Sequence, residues 1–464
     1  MRACGLALNG KARRQRALGP GSSMSLNNGI GSPGSGLLTK MSTARGVKDI
    51  IPEEAIAKQR IINELRCIAE SYGFSPLETP VIERFETLSS KYAGGSEILK
   101  EMFRLKDQGS RELGLRYDLT VPLARFIAMN PQTKLPFKRY QVGEVFRDGP
   151  IKLGRYREFT QFDVDVVGSA LMIADAEIIS LACDAFSALG LDVVVKVNNR
   201  KVLNAVIEAA GITKSKADDV ILSLDKLGKL GLDAVKSELD EKGLSGEQIK
   251  KLIKIITVKG SFEEKAKKIS RLIKAEEGLD EIKQVFAYIN KKNVEFDVAL
   301  ARGLAYYTGT VFEVFLNDSG VKSSVAAGGR YDDMIGKFCG SEKSYPAVGI
   351  SFGLDVVIDA LKEKNRAAKK TVTAVFIIPI KAQKEAFKIV QQLRKEKINA
   401  DIDLNEKGIS KNLDYANALG IPFVVFIGKN ELKQKKVKLR DMKTGEEKMV
   451  SVKTLISELN ENNL

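Results

Sequence analysis

The first strong pattern begins at Pro52, after which apolar Ile61, Ile62, Leu65, Ile68, Ala69 and Tyr72 recur at helical spacing until Gly73. Proline at the first position and Glu53 and Glu54 in the first turn suit a helix start, so a long amphipathic helix is predicted here. Short alternating runs follow at 103–105, 112–117, 137–147 and 155–167, separated by Gly- and Pro-bearing gaps of hairpin size rather than by regular βαβ crossovers. That spacing predicts a mainly antiparallel central sheet. Between 213 and 285 the periodicity turns helical, Lys, Glu, Asp, Leu and Ile dominate, and aromatics nearly vanish, which reads as an inserted helical module. Strand-like runs resume at Phe296 and continue to Phe352. A basic linker at 362–371 precedes an alternating tail over 372–464, with strands at 372–380, 400–404 and 422–427 and helices at 381–397 and 410–419. The tail predicts a small α/β domain with a partly parallel sheet. The chain is therefore α+β, its core divided into 45–212 and 286–361 by the 213–285 insertion.

Composition narrows the chemistry. The 464 residues are 44% hydrophobic and 29% charged, as in a folded chain of two to four domains. There is no His and no Trp, which excludes Ser-His-Asp triads, His-based acid-base catalysis and His-ligated metals. Cys4, Cys67, Cys183 and Cys339 are too scattered for zinc spacing and read as reduced cytosolic thiols. No apolar run approaches the ~18 residues of a membrane span, so the expected location is cytoplasmic and without a membrane partner.

The net charge of +15 suggests a polyanionic partner. Nearly half of it comes from Arg2, Lys11, Arg13, Arg14, Arg16, Lys40 and Arg45, with no acid among the first 45 residues. Residues 1–44 lack periodicity and read as a disordered basic head, either a mitochondrial transit peptide or an over-extended reading frame whose start is Met24 or Met41. The second reading is preferred, because Met41 stands four residues before the first structured motif. The string Gly29, Gly31, Gly34 contains Pro33 and follows no strand, so it reads as chance rather than a dinucleotide loop.

The segment Arg155-Tyr-Arg-Glu-Phe-Thr-Gln-Phe-Asp-Val-Asp-Val-Val-Gly168 carries the most chemistry. As a strand it sets Arg155, Arg157, Gln161, Asp163 and Asp165 on one face and Tyr156, Phe162, Val164 and Val166 on the other. Alternation alone fits a solvated face with cross-strand ion pairs. The neighbouring strand, however, ends at Arg147, and the 148–154 loop is longer than a tight hairpin needs. Arginines at the ends of paired strands suit a phosphate chain, and acids on the same surface suit an ammonium group.

Four segments in order then carry a resemblance: Arg45-Gly-Val-Lys-Asp-Ile-Ile-Pro52; Phe146-Arg147 through Gly154-Arg-Tyr-Arg-Glu-Phe159; Arg302-Gly-Leu-Ala-Tyr-Tyr-Thr308; and Ala327-Gly-Gly-Arg-Tyr-Asp332. From Arg45 to its C-terminus the chain resembles the histidyl-tRNA synthetases, which are class II aminoacyl-tRNA synthetases. The first segment is similar to a motif that helps form a homodimer interface, the second to motif 2, and the last two to signatures special to the histidine enzyme. The resemblance implies a class II synthetase-like core, a C-terminal anticodon-binding domain, and a histidine–tRNA ligase that uses ATP with Mg²⁺, L-histidine and tRNA(His). No metal ligand is expected among the protein side chains.

By the same resemblance Asp118 and Thr120 receive the α-ammonium of histidine, Gln161 its polar backbone groups, and Asp165 an imidazole nitrogen. Tyr306 and Tyr307 form the side-chain pocket. Arg147 and Arg155 bind ATP, Arg147 at the α-phosphate and adenine side, and Arg302 bridges the carboxylate and the α-phosphate. Each has a plainer use: Asp118 as a helix N-cap, the tyrosines as one core and one surface residue of a strand, and Arg302 as a surface ion pair. Two residues depart from the family pattern. Ala305 stands where an Asp is usual, and Val356 where the third motif ends in an ATP-clasping Arg, leaving Arg330 or Lys152 to compensate. Two other readings stay open, a non-catalytic histidine sensor resembling the regulatory partner of ATP phosphoribosyltransferase and a tRNA-binding module without chemistry. The first of these is disfavoured by residues 372–464, which that paralogue typically lacks.

Overall fold

The helix predicted from Pro52 spans Pro52–Ser71 and ends where Gly73 takes φ +79°. The protein is seen here as a computed structural model describing residues 42–90, 99–151, 156–302, 306–317, 319–321, 323–338, 340, 344–363 and 369–461. The basic head through Lys40, and with it Lys152, Arg155 and Ala305, lies outside the described residues. Ile61, Leu65 and Ala69 form the buried stripe of the first helix and pack into one large core with Phe162, Phe186 and Phe352.

That core lies against an eight-stranded sheet. Its spatial order is Ser75–Pro76, Phe137–Phe146, Glu158–Val167, Ala347–Gly353, Ala326–Arg330, Thr310–Leu316, Val193–Asn199 and Val294–Phe296. Only the two edge pairings are parallel; all inner ones are antiparallel, as the hairpin-sized gaps imply. The helix Met172–Ala188 is buried along most of its length because its Ala- and Ile-rich surface is apolar nearly all round.

Helices between Lys214 and Tyr288 gather around Val220, Leu239, Leu252 and Ile282. The same cluster takes in Val202 and Val206 of the Arg200–Ala209 helix, together with Phe296 and Val298, so its packing begins before the change in composition at 213. Capping boxes at Ser245/Gln248 and Ser261/Glu264 fix two of the helix starts. In the tail, Val375–Ile380 lies parallel to Ala400–Ile402 and Phe423–Gly428, and an antiparallel hairpin, Val437–Asp441 and Glu447–Val450, completes a five-stranded sheet.

Arg330, considered from the sequence as a substitute phosphate cation, is committed elsewhere. It is 2% exposed, donates to the carbonyls of Ser169 and Leu171, and pairs with Asp175 and Asp332. The guanidinium ties the sheet to the Met172–Ala188 helix and leaves no open fork for a phosphate. Arg330→Ala strands Asp175 in the core, where breaking a buried pair costs about 3–5 kcal/mol. The expected result is a large drop in the calorimetric unfolding midpoint, and an unchanged midpoint would return Arg330 to the phosphate candidates.

Candidate active site

One cleft brings together Asp118, Thr120, Arg147, Gln161, Asp165, Arg302, Tyr306 and Tyr307. These are all the site residues expected from the sequence except Arg155, which lies outside the described residues. The strand Glu158–Val167 makes the floor: Gln161, Asp163 and Asp165 face the cleft while Phe162, Val164 and Val166 lie in the core behind it.

Asp165 sits opposite Arg139 in the sheet register and pairs with it at 2.7 Å, while the hydroxyl of Tyr331 donates to its Oδ1 at 2.6 Å. Burial raises the Asp165 carboxyl above its ordinary pKa, and Arg139 and Tyr331 oppose the shift. Gly349 is required beneath it, since a Cβ there would stand 1.9 Å from Asp165 Oδ1. Asp163 is pushed up to about 7 by burial, with Asp165 adding to the shift and Arg139 opposing it. Gln161 Nε2 donates to Ser351 Oγ at 2.6 Å, and its buried Oε1 has no hydrogen-bond partner among the described residues.

Asp118 stands one residue before the N-cap Leu119 and still serves the helix start. Its Oδ1 accepts the Val121 N–H at 3.0 Å at the start of the Thr120–Met129 helix, and the same side chain lines the cleft. Burial pushes it up to about 6, against the pull of the Val121 N–H and Arg147. Arg147, just past the Phe137–Phe146 strand, donates from Nε to the Tyr117 carbonyl at 3.0 Å and lies 5.1 Å from the centre of the Phe159 ring.

Arg302 is not at a strand end. It stands in the loop beyond Val294–Phe296 and is held from the side, with Nη1 2.7 Å from Glu313 Oε1 and Nη2 3.5 Å from the Tyr307 hydroxyl. Burial works against its charge, yet Tyr307 and Glu313 outweigh burial and raise its pKa. Tyr306 and Tyr307 do not divide between core and surface in a strand: they follow one another in a turn, both line the cleft, and their ring centres are 4.8 Å apart. Gly329 makes room for them, because a Cβ there would meet the Tyr307 ring at 2.9 Å. Val356 packs against the core beside the Pro52–Ser71 helix.

The sequence patterns do not single out Arg139, Tyr331, Glu313, Ser351 or the role of Asp163. Register arithmetic could have found Arg139, and Tyr331 lies inside a quoted signature. The cleft offers acid and amide acceptors at one set of positions and two guanidinium groups at another, so it can hold an ammonium-bearing ligand and an anionic chain together. Among the described residues no cluster of three or more His, Cys, Asp or Glu side chains is arranged to hold a metal ion, and no helix is long and apolar enough to cross a membrane.

The sequence profile described as histidyl-tRNA synthetase matches residues 46–357, and that of an anticodon binding domain matches residues 374–462. The chain belongs to the histidyl-tRNA synthetase family. It is 43% identical over 423 residues to a histidine–tRNA ligase 1 of Bacillus cereus, covering 90% of this chain and 99% of that protein. Its fold superposes on the crystal structure of histidyl-tRNA synthetase from Nostoc sp. PCC 7120 with a TM-score of 0.80 at 30% identity, covering 91% and 99% of the two chains. An ATP phosphoribosyltransferase regulatory subunit/histidyl-tRNA synthetase from Bacillus halodurans C shares the fold at 22% identity, with a TM-score of 0.69 and coverage of 84% and 98%.

The raised pKa of Asp118 implies a stability test. An aspartate whose folded pKa lies above its unfolded value weakens the fold at high pH, and that penalty fades as pH falls through about 6 toward the ordinary carboxylate value. Asp118→Asn keeps an oxygen for the Val121 N–H and removes the charge. It is expected to raise the thermal midpoint at pH 7.5, by a free energy of at most about 3 kcal/mol, with the gain shrinking toward pH 4. A gain that grew on acidification would contradict the assigned direction.

Proposed function

We propose that the chain activates L-histidine with ATP and transfers it to tRNA(His), working as a cytoplasmic homodimer. The observation that carries this is the one cleft in which Asp118, Gln161 and Asp165 face Arg147 and Arg302. The α-ammonium of histidine is received by Asp118, Thr120 and the open Gln161 Oε1. The imidazole lies against Tyr306 and Tyr307, with its nitrogen directed to the Asp165–Tyr331 end of the floor. Arg302 then holds the carboxylate against the α-phosphate, and Arg147 grips that phosphate from the other ligand side.

A carboxylate oxygen attacks the α-phosphorus, the new O–P bond forms as the bond to pyrophosphate breaks, and the mixed anhydride remains. Mg²⁺ arrives with ATP as part of that substrate and neutralises the leaving pyrophosphate. The 3′ end of the tRNA then displaces AMP from the acyl carbon. No step requires an imidazole of the protein, because positioning and fixed charge carry an in-line displacement. Arg302 is suited to this role because Glu313 and Tyr307 hold it before substrate arrives.

A groove with apolar Ile51, Ile56, Ala57, Ile358 and Leu361 and charged Glu53, Glu54, Arg60, Glu64, Lys362 and Lys369 in its lining supports dimerisation beside the motif that begins at Arg45. The anticodon-binding domain supports tRNA recognition. It carries a basic run of Lys429, Lys433, Lys435, Lys436, Lys438 and Arg440, part of which is internally matched, since Lys438 and Arg440 reach Glu447 at 3.3 and 3.1 Å. Lys429, Lys433, Lys435 and Lys436 remain exposed for phosphate.

Histidine-dependent ATP–pyrophosphate exchange by the wild-type chain tests the reading; no exchange would favour the histidine-sensing or tRNA-binding alternative. Arg302→Ala is expected to slow exchange by on the order of 10² to 10³ with the fold retained, and a loss below tenfold would remove it from the chemistry. Replacing Lys433, Lys435 and Lys436 with Gln is expected to flatten the slope of log tRNA affinity against log salt by about 2 units, with exchange unaffected. An unchanged slope would place the phosphate contacts elsewhere.

A further inference from the structure

We infer that the cleft holds the imidazole ring of histidine as a cation, with one ring N–H donated to Asp165 and the other to Asp163. The inference rests on the reading of this cleft as the histidine site and adds the charge state in which the ring is bound.

Asp163 and Asp165 stand two residues apart on one face of the Glu158–Val167 strand, and both line the cleft. Their carboxylates differ in how they are met. Asp165 takes the Tyr331 hydroxyl on Oδ1 at 2.6 Å, and Arg139 Nη2 lies 2.7 Å from its Oδ2. Asp163 Oδ1 is buried with no hydrogen-bond partner among the described residues. Its register neighbours have other contacts, since the Gln141 amide bonds Thr79 and Ser351 Oγ accepts from Gln161 Nε2. A buried acceptor left unmet is costly, so an orphaned carboxylate oxygen on the floor of a ligand cleft points to a donor on the ligand.

The charges lead to the same place. Arg139 is fully buried and pairs with Asp165. On the proposed reading Asp118 answers the ammonium of L-histidine and Arg302 its carboxylate, so Asp163 is the acid left without a counterpart, and a protonated ring supplies one. A neutral ring has a single N–H, and its bare nitrogen needs a donor. This part of the floor presents two carboxylates instead, and the Tyr331 hydroxyl is already given to Asp165. The spacing agrees: residues two apart on a strand are roughly 6.6 Å apart. The two N–H groups of an imidazolium flank one carbon and point away from each other, each reaching an acceptor about 2.9 Å beyond its nitrogen.

The charged and titratable groups around Asp163 are Arg139 from the neighbouring strand, Asp165 on its own strand, and Arg116, Asp118 and Tyr331 further off. Burial pushes its carboxyl up to about 7, with Arg139 opposing the shift and Asp165 adding to it. A free imidazole titrates at about 6.5, so ring and carboxyl compete for one proton on nearly equal terms, and the second acid, Asp165, tips it to the ring. The proton comes from water when Asp163 is ionised and from the Asp163 carboxyl itself when it is not. The consequence is selection by charge, because an uncharged side chain of similar size, such as that of glutamine, leaves Asp163 unmet.

The test is ¹⁵N NMR of ring-labelled L-histidine bound to the full chain at about pH 8, where the free ring is neutral. Both ring nitrogens of the bound ligand are expected to carry a proton and to show similar shifts, whereas a neutral ring shows one protonated and one bare nitrogen. Asp163→Asn should return the ring to the neutral form and weaken L-histidine by about ten- to a hundredfold in calorimetric titration. The wild-type spectrum decides the charge state whether or not that variant folds. One bare nitrogen in the wild-type complex overturns the proposal and leaves the histidine site standing, with a tyrosine hydroxyl at the second nitrogen. A doubly protonated ring in Asp163→Asn overturns the assignment to Asp163. No bound histidine at all overturns the reading of the cleft itself, and the proposal with it.

Discussion

A one-residue slip of the Glu158–Val167 strand would exchange the floor of the cleft with the core of the molecule, and most of the site depends on that slip not occurring. Strand side chains alternate, so the face holding Gln161, Asp163 and Asp165 and the face holding Phe162, Val164 and Val166 are two outcomes of one register. Aromatic packing pins it from behind: Phe162 stacks on Tyr140 with ring centres 5.5 Å apart and meets Phe352 edge-on at 6.1 Å. Steric fit pins it from the front, because Asp165 can lie only over a residue without a side chain, and Gly349 is its register partner. Driving two carboxylates and an amide into the apolar cluster would cost several kcal/mol, so the alternatives are strongly disfavoured.

The same register gathers buried acids into a small space. Asp118, Asp163 and Asp165 all have carboxyl groups raised in pKa, with burial the largest cause for each. Arg139 is fully enclosed beside them and pairs with Asp165, which leaves the other two acids without an ion pair of that kind among the described residues. The site thus stores electrostatic stress of the kind that the ammonium proposed to bind there would relieve, the usual relation between a preorganised site and lost stability. Arg302 shows the complementary arrangement: Glu313 and Tyr307 keep it charged and hold its fork within a buried setting.

What could be read from the sequence was what is encoded locally. The helix from Pro52, the antiparallel core, the helical insertion and the α/β tail each announce themselves within a window of ten to twenty residues, since periodicity is a property of neighbours. The motif resemblance then located eight cleft residues that come from separate stretches of chain. What escaped depends on distant pairing. Arg139 matters because it lies across from Asp165, and Glu313 because the loop carrying Arg302 passes over its strand. Arg330 looked available as a charge in a signature, but its meaning was set by Asp175, 155 residues away. Between Lys429 and Arg440 the chain carries six cations and Glu431 alone as an acid, yet the hairpin brings Glu447 to Lys438 and Arg440.

The valine in the third motif bears on how the two halves of ATP are treated. Val356 is half-buried and packs against the apolar core, and Arg330, the described cation considered in its place, is enclosed by Asp175 and Asp332. Contacts at the far end of the triphosphate act nearly alike in the ground state and the transition state, so they govern how well ATP is held. Contacts at the α-phosphorus strengthen as charge builds during attack, so they govern the rate. The arginines proposed for the second position are both braced, Arg147 on Tyr117 and Phe159 and Arg302 on Glu313 and Tyr307. On the proposed assignment, a cleft that lacks the terminal clasp but keeps this bracing would give up nucleotide affinity before it gave up chemistry.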